Sequence, residues 1–293
     1  MAPGRCLAVD IGGTKCAAGL VDYQGVLSGA TKIATPSSHD PEIVWTAVAD
    51  MVRGVLEESG DSVEVCGVGC GGPMSMGGEE VSPLNIPAWR GFPLRSRLAE
   101  LTGLTTFVDN DAKALAIAEG WVGAAEGQTD YVAIVVSTGV GGGIVLDGRL
   151  LDGQHGNAGH IGHITVEPDG HLCACGARGC LEAEASGTAI QAITGRSPAE
   201  ASPETVERVG TYVGRAVATM AVLLDLSLAV VAGSVALGFG EPFFTAAQEE
   251  LTKRAMIEYV LGAEIRPAGL GPEGPLIGAG TVGLKGRSEV ATR

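Results

Sequence analysis

Two segments of the chain repeat one pattern of glycine and hydroxyl residues between apolar runs. The first, Asp-Ile-Gly-Gly-Thr-Lys at positions 10–15, separates apolar runs at 7–9 and 17–21. The second, Ser-Thr-Gly-Val-Gly-Gly-Gly at 137–143, follows the apolar run 131–136. Glycine turns let backbone N–H groups approach an anion, so two facing hairpins of this kind predict a clamp for a polyphosphate. One such turn alone would indicate only a hairpin, and the matched pair is what favours anion binding.

Three of the seven cysteines have the close spacing of metal ligands. Cys173, Cys175 and Cys180 lie in one short segment, with glycines that allow the loop to wrap until the three sulfurs converge. Tetrahedral zinc needs a fourth ligand, which His163 or His171 could supply. The alternatives are a reduced thiol loop and a disulfide, and the disulfide is disfavoured in a reducing cytosol.

The other four cysteines lie in apolar stretches, where a cysteine is usually a small buried hydrophobic residue. They are Cys6, Cys16, Cys66 and Cys70.

Hydrophobic periodicity predicts an α/β chain between and after these motifs. The strand predicted at 63–70 ends in Gly71-Gly72-Pro73, and ligand crevices in α/β sheets open at the carboxyl ends of strands. We therefore expect a crevice after residue 70. Further helices are predicted at 40–59, 94–101, 110–119, 203–224 and after Gly233, with strands at 105–108 and 228–232.

Composition bounds the class of protein. The 293 residues are 45% hydrophobic and carry a net charge of −15, which predicts a compact globular chain of two domains that repels nucleic acid and anionic membranes. No apolar run approaches the roughly 18 residues of a membrane helix, and no signal segment precedes the first strand. A cytoplasmic location is the expectation.

Five motifs, in order over residues 6–285, resemble those of the ROK family of sugar kinases and repressors, and most closely its bacterial glucokinase-like members. They are Asp10-x-Gly12-Gly13-Thr14-Lys15, Asn110-Asp111-Ala112, Ser137-Thr138-Gly139-x-Gly141-Gly142-Gly143, Gly162-His163, and Cys173-x-Cys175-Gly176-x-x-Gly179-Cys180-Leu181-Glu182. The cysteine segment is the most specific of the five. The resemblance implies the actin-like ATPase (ribonuclease H-like) fold, with two α/β lobes around a cleft, and a homodimer or homotetramer.

The chain is expected to form two domains. A small N-terminal domain spans residues 1–109 and is completed by the C-terminal helix at about 275–293. A large domain spans 110–274 and contains the zinc loop at 163–180.

The resemblance also implies ATP and Mg²⁺ as cofactors of phosphoryl transfer to a sugar hydroxyl, typically on C6. Asp10 would orient Mg²⁺ through its waters, and Asp111 would receive the proton of the attacking hydroxyl. Lys15 would add positive charge, although a solvent-facing lysine is an equal alternative. Taken alone, Asn110 and Asp111 are also ordinary helix-capping residues. The implied nucleotide and Mg²⁺ residues are Asp10, Gly12, Gly13, Thr14, Lys15, Thr138, Gly139, Gly141 and Gly233.

Sugar recognition is expected from residues that the resemblance places around the hexose: Gly72, Asn110, Asp111, His160, His163 and Glu182. His163 would bind a structural zinc ion with one ring nitrogen and a sugar hydroxyl with the other. Cys173, Cys175 and Cys180 would complete the zinc site, and the loop would position Glu182.

One position departs from the family pattern. Family kinases usually carry Gly-Glu-x-Gly-His where this chain has Gly159-His160-Ile161-Gly162-His163. Either His160 makes a different contact with the same sugar, or the substrate differs at C1 or C2, or His160 only packs beside the loop.

The leading functional hypothesis is an ATP-dependent hexose kinase with glucose as substrate. The alternatives are N-acetylmannosamine, N-acetylglucosamine or another hexose, and less favoured a catalytically silent sugar-binding regulator. Repressors of the family place a DNA-binding domain before the first strand, where only five residues precede Cys6, so a DNA-binding regulator is not expected.

Overall fold

The computed structural model describes residues 4–60 and 63–291, with the side chains of 289–291 left aside. These residues form two compact units. Unit 1 runs to Val122 and adds the segments Asp152–Ala158 and 270–291, whereas unit 2 comprises Gly123–Leu151 and Gly159–Gly269.

The two units contain sheets of the same topology. In each, three antiparallel strands follow one another along the chain, and two later strands pair in parallel beside the first of them. The strand orders are β3-β2-β1-β4-β5 and β8-β7-β6-β9-β10. The strands are β1 Arg5–Ile11, β2 Lys15–Val21, β3 Leu27–Ala34, β4 Val63–Cys70, β5 Thr106–Asn110, β6 Tyr131–Val136, β7 Val140–Leu146, β8 Arg149–Leu150, β9 Leu228–Ala232 and β10 Glu264–Pro267. The predicted α/β class is confirmed, and the two segments that repeat one pattern in the sequence lie in sheets of the same topology.

The helices cover these sheets. They are α1 Pro41–Ser59, α2 Leu94–Thr102, α3 Asp111–Val122, α4 Leu181–Ala185, α5 Gly187–Thr194, α6 Pro203–Leu224, α7 Ser234–Phe239, α8 Glu241–Arg254 and α9 Gly274–Ala291. Helix α1 begins where the sequence predicts, because the Asp40 side chain accepts the Glu42 N–H and Pro41 occupies the first turn. The sequence did not predict α8 as a separate helix.

Strand β1 is buried on both faces. Leu7, Val9 and Ile11 pack into the cluster that contains residues of α1, whereas Ala8 packs with Leu276 and Ala279 of α9. Because side chains alternate along a strand, Asp10 lies on the α9 face. The fold thus directs an ionisable side chain into covered space.

Helix α3 packs closely on α9. A Cβ placed on Gly278 would lie 2.9 Å from the carbonyl carbon of Ala114, a distance that only glycine permits. Because of this packing, α3 belongs to unit 1, and the units divide after Val122. The domain boundary expected from the sequence, at residue 109, lies before α3.

Helices α6 and α8 make the corresponding contact in unit 2. Cβ atoms on Gly210 and Gly214 would lie 2.5 Å from Phe243 O and 2.3 Å from Ala247 O. Glycines at these two positions thus allow α6 and α8 to pack closely. Over the described residues, no helix is both long and apolar enough to cross a bilayer.

Candidate active site

The first half-site lies at the carboxyl edge of the sheet in unit 1. The parallel register places Asp10 of β1 opposite Gly69 of β4, and Gly69 opposite Asp109 of β5. The residues that follow each strand therefore emerge at one edge, which for β4 is where the sequence predicts a crevice. Gly72 lies in this edge, and its carbonyl accepts the N–H of Leu84 at 3.3 Å.

Asp10 and Asp111 are neighbours across Gly69. A Cβ on Gly69 would lie 3.5 Å from Asp111 Cα and 3.8 Å from Asp10 Oδ1. Asp10 is only 8% exposed. Burial, and then the charge of Asp111, raise the pKa of Asp10 from 3.8 to about 7, against the opposing effect of Lys15 and Lys32.

The Asp10 carboxylate accepts no hydrogen bond from any residue in the part of the chain that the structure describes. A buried carboxylate without hydrogen-bond donors, next to a second acid, is suited to a cation. The donor set thus fits the expected Mg²⁺.

Lys32 is a residue that the sequence analysis missed. Asp10 lies opposite Ala17, and Ala17 opposite Lys32, in one row across β1, β2 and β3. Directly opposed side chains share a face of the sheet, and the small Ala17 leaves room between the two charges. Lys15 belongs to the same face because it lies two residues before Ala17. Hairpin register could have revealed this row.

Asn110 and Asp111 form the N-terminus of α3. Asn110 Oδ1 accepts the N–H groups of Ala112 at 3.0 Å and Lys113 at 3.3 Å, so Asn110 caps the helix. Its amide NH₂ donates no hydrogen bond to the described residues. Capping therefore uses the acceptor of Asn110 and leaves its donor for a ligand. Burial raises the pKa of Asp111, while the N–H of Ala112 opposes that shift.

Lys113 is a second residue that the sequence analysis missed. Its buried ammonium contacts Asp109 at 3.0 Å, Asp152 at 2.7 Å and the carbonyl oxygen of Gly156 at 3.3 Å. These contacts hold the segment 152–158 in unit 1. A charged residue within the otherwise apolar start of α3 was the available signal.

The first glycine turn presents free donors. The N–H groups of Gly13 and Thr14 donate no hydrogen bond within the described residues. The turn is closed by the N–H of Gly12, which donates to Lys15 O at 3.1 Å. A Cβ on Gly13 would lie 2.4 Å from Asn85 Cβ, so the loop that carries Asn85 presses on this turn. A cleft of about 180 Å³ opens beside the contact.

The second half-site lies at the carboxyl edge of β6 and β9 in unit 2. Thr138 and Gly139 form the turn and, over the described residues, their N–H groups donate no hydrogen bond. Gly141 lies within β7, opposite Val135. This turn therefore offers the same free donors as the first.

The turn at Gly233 adjoins the second glycine turn. Gly233 has φ +100°, and a Cβ there would lie 2.2 Å from the carbonyl oxygen of Val136. The hydroxyls of Ser137 and Ser234 are 3.0 Å apart and hydrogen-bonded. Two of the segments expected to bind the nucleotide are thus adjacent.

Four side chains converge in the cysteine segment of unit 2. The ligand atoms of His163, Cys173, Cys175 and Cys180 all lie within 4.8 Å of one another. The sulfurs of Cys175 and Cys180 are 3.7 Å apart, as are Cys173 Sγ and His163 Nδ1. Sulfurs bound to one tetrahedral zinc ion at about 2.3 Å lie about 3.8 Å apart, so this donor set fits zinc.

His171, the other candidate for the fourth ligand, has a different partner. Its Nδ1 lies 2.9 Å from the buried carboxylate of Glu184. His160 is exposed beside His163, with ring centroids 6.2 Å apart in an edge-to-face arrangement. The structure thus leaves His163 as the histidine of the cluster and places His160 against it.

Glu182 contacts the second glycine turn. Its Oε2 accepts the N–H of Val140 at 3.0 Å, and a Cβ on Gly139 would lie 2.9 Å from the same oxygen. The sequence analysis expected Glu182 beside the sugar and did not anticipate this contact.

Comparison with known proteins places these features in a family. The model of the ROK family matches residues 6–284. The chain belongs to the ROK family. Among its ROK relatives, a glucokinase from Thermotoga maritima is 41% identical over 194 residues, which are 64% of this chain and 59% of that protein. The matched part of the chain thus spans less than two thirds of that relative. An N-acetylmannosamine kinase from Escherichia coli is 39% identical over 250 residues, 80% of this chain and 84% of its own.

A solved ROK structure agrees with the fold. The ROK family glucokinase from Streptomyces griseus, in complex with glucose and AMPPNP, is 32% identical, with a TM-score of 0.84. The alignment covers 96% of this chain and all of that one, 100%. The chain therefore has the expected actin-like ATPase fold of the ROK sugar kinases.

The raised pKa of Asp10 predicts a dependence of stability on pH. Unfolded Asp10 ionises near 3.8 and folded Asp10 near 7, so the folded state binds the extra proton between these values and its stability falls as pH rises through that window. Without Mg²⁺, Asp10→Asn should raise the free energy of unfolding by up to about 4 kcal/mol at pH 8 and change it little at pH 4. Urea unfolding at both pH values measures this, with the exposed Asp50→Asn as control. Equal effects at both pH values would contradict the assignment.

The cluster geometry predicts which histidine binds metal. His163→Ala should weaken zinc binding at least tenfold, since it removes one of four ligands, whereas His171→Ala should leave affinity within about threefold. Competition with a chromophoric chelator under reducing conditions measures both affinities. A loss in His171→Ala equal to that in His163→Ala would show that the cluster is assigned wrongly.

Proposed function

We propose that this chain is an ATP-dependent sugar kinase that transfers a phosphoryl group to the 6-hydroxyl of a hexose. The observation that carries the proposal is the pair Asp10 and Asp111 at one sheet edge, on either side of Gly69. Among the described residues, Asp10 accepts no hydrogen bond and is suited to a cation. Asp111 begins α3, next to the free amide NH₂ of Asn110. Free N–H groups on both glycine turns and membership of the ROK family support it.

In the proposed reaction, the sugar oxygen forms a bond to the γ-phosphorus while the bond to the bridging oxygen of ADP breaks. Asp111 accepts the proton of the hydroxyl. A loose transition state needs little proton removal early, so the position of Asp111 matters more than its basicity. Burial raises its pKa and makes it a somewhat stronger base than an exposed aspartate. The Asn110 amide donates to a neighbouring hydroxyl.

The nucleotide phosphates would be bound by the free N–H groups of the two turns, at Gly13 and Thr14 in unit 1 and at Thr138 and Gly139 in unit 2. Lys15 and Lys32 would add positive charge near Asp10. Mg²⁺, when bound by Asp10 through water, neutralises charge on the phosphates. Gly233, which packs on the backbone of Val136, would lie beside the adenosine.

The zinc loop would have a structural role. His163 Nδ1 faces the sulfurs, which leaves Nε2 for a sugar hydroxyl. Glu182 follows Cys180 by two residues, so the same loop places a carboxylate for the sugar.

Glucose is the first candidate substrate, because several of the similar proteins are glucokinases. An N-acetylhexosamine is the second candidate, because the N-acetylmannosamine kinase matches 80% of this chain, against 64% for the glucokinase from Thermotoga maritima. His160, where ROK kinases usually carry glutamate, also allows a change at C1 or C2.

Asp111→Asn should lower kcat at least a hundredfold and leave sugar binding within about threefold, because the amide keeps its shape but accepts no proton. Turnover is measured by coupled ADP release, and sugar affinity by calorimetry. A near-normal kcat would contradict the role of Asp111.

The substrate is identified by the same assay with glucose, mannose, fructose, allose, N-acetylglucosamine and N-acetylmannosamine, with Asp111→Asn as the blank. Turnover of one sugar that the blank loses would support the kinase and name its substrate. No turnover of any sugar, in a chain that carries zinc and binds sugar, would overturn the proposed activity in favour of a sensor.

A further inference from the structure

Residues that follow the metal loop donate hydrogen bonds to two carbonyl oxygens of the second glycine turn. The N–H of Gly187 donates to Ser137 O at 2.7 Å. Thr188 donates to Thr138 O twice, from its N–H at 3.2 Å and from its hydroxyl at 2.9 Å. These bonds use the carbonyl oxygens of Ser137 and Thr138. The N–H groups of Thr138 and Gly139 donate to none of the described residues.

Val140, the first residue of β7 after the turn, is contacted from both ends of the metal loop. Its N–H donates to Glu182, two residues after Cys180. Its carbonyl oxygen lies against Gly162, where a Cβ would be only 2.3 Å away, and Gly162 precedes His163. The two metal ligands nearest these contacts, His163 and Cys180, belong to the same cluster. A metal ion bound by both ligands would fix His163 and Cys180 relative to each other, and so would restrain Val140 from both sides.

We propose that Glu182 is a positioning residue for the second phosphate turn, and that through it the metal loop sets the affinity for nucleotide. The inference rests on the proposed function, which assigns this turn to the nucleotide phosphates. Glu182 Oε2 is committed to Val140, whereas Oε1 accepts no hydrogen bond from the described residues and stays available for a sugar hydroxyl. One carboxylate would thus serve the nucleotide turn through Oε2 and the sugar through Oε1.

The consequence is that metal loading changes nucleotide binding in the absence of sugar. Without ligation, His163 and Cys180 are free to separate, and Val140 loses its restraint on both sides. A structural metal site serving the sugar alone would leave nucleotide affinity unaltered.

The test compares Glu182→Ala with Glu182→Gln, and takes the exposed Gln191→Ala of α5 as a matched control. The probe is a fluorescent ADP analogue with Mg²⁺ and no sugar. Glu182→Ala removes the acceptor and should raise the nucleotide Kd about five- to tenfold. Glu182→Gln keeps an oxygen that accepts the Val140 N–H, so its Kd should stay within about twofold of wild type. Circular dichroism and metal content verify that each variant is folded and loaded.

Metal removal provides the second arm. Stripping zinc from the wild-type chain under reducing conditions should raise the nucleotide Kd, and readdition should restore it. In Glu182→Ala, stripping should change the Kd by a smaller factor, because the two perturbations act on one contact and are not additive.

Two results would overturn the inference while the proposed function stands: wild-type nucleotide affinity in Glu182→Ala, or equal losses in Glu182→Gln and Glu182→Ala. A wild-type chain that binds no nucleotide at all, even when loaded with zinc, would instead refute the proposed function. Sugar KM separates the two roles of Glu182, since it should rise in both variants while nucleotide Kd rises in one.

Discussion

The candidate site in unit 1 depends on the burial of one carboxylate, Asp10, beside a second one, Asp111. Strand alternation sends Asp10 to the face that α9 covers, and the register of β1, β4 and β5 brings Asp111 to the same edge. Burial and repulsion raise the pKa of Asp10 to about 7, so ionisation of Asp10 costs free energy in the folded chain. A cation would relieve this cost, which supports the proposed binding of Mg²⁺ beside Asp10.

The two sheets have one topology, and each places a glycine turn after its first strand. The support of the two turns differs. The loop at Asn85 presses on the first turn, whereas residues of α4 and α5, directly after the metal loop, hold the second. The same turn pattern is thus supported differently in the two units, because the elements outside the sheets differ.

Local sequence signals predicted much of this structure. The bounds of α6 and β9 agree with the periodicity, and Asp40 and Pro41 mark the start of α1. These elements are specified by residues close in sequence, through apolar spacing and capping. The metal cluster was likewise visible, since its three cysteines lie within one short loop.

Other features depend on contacts between distant residues and were not predicted. Lys32 reaches the surroundings of Asp10 only through the register of three strands, and Lys113 finds Asp152 far along the chain. The family resemblance assigned Glu182 to the sugar, and no local pattern shows that its carboxylate accepts the N–H of Val140. The placement of α3 in unit 1 follows from its close packing on α9, which depends on Gly278.

The most direct test of this account is an NMR titration of the carboxyl carbons, with the Asp10 signal assigned by its loss in Asp10→Asn. Without Mg²⁺ and nucleotide, the pKa of Asp10 should be about 7. With saturating Mg²⁺ and ADP it should fall well below that value, because a cation favours the ionised form. An ordinary pKa near 3.8 in the free protein, or no change on adding Mg²⁺ and ADP, would contradict the claim that Asp10 forms a buried cation site.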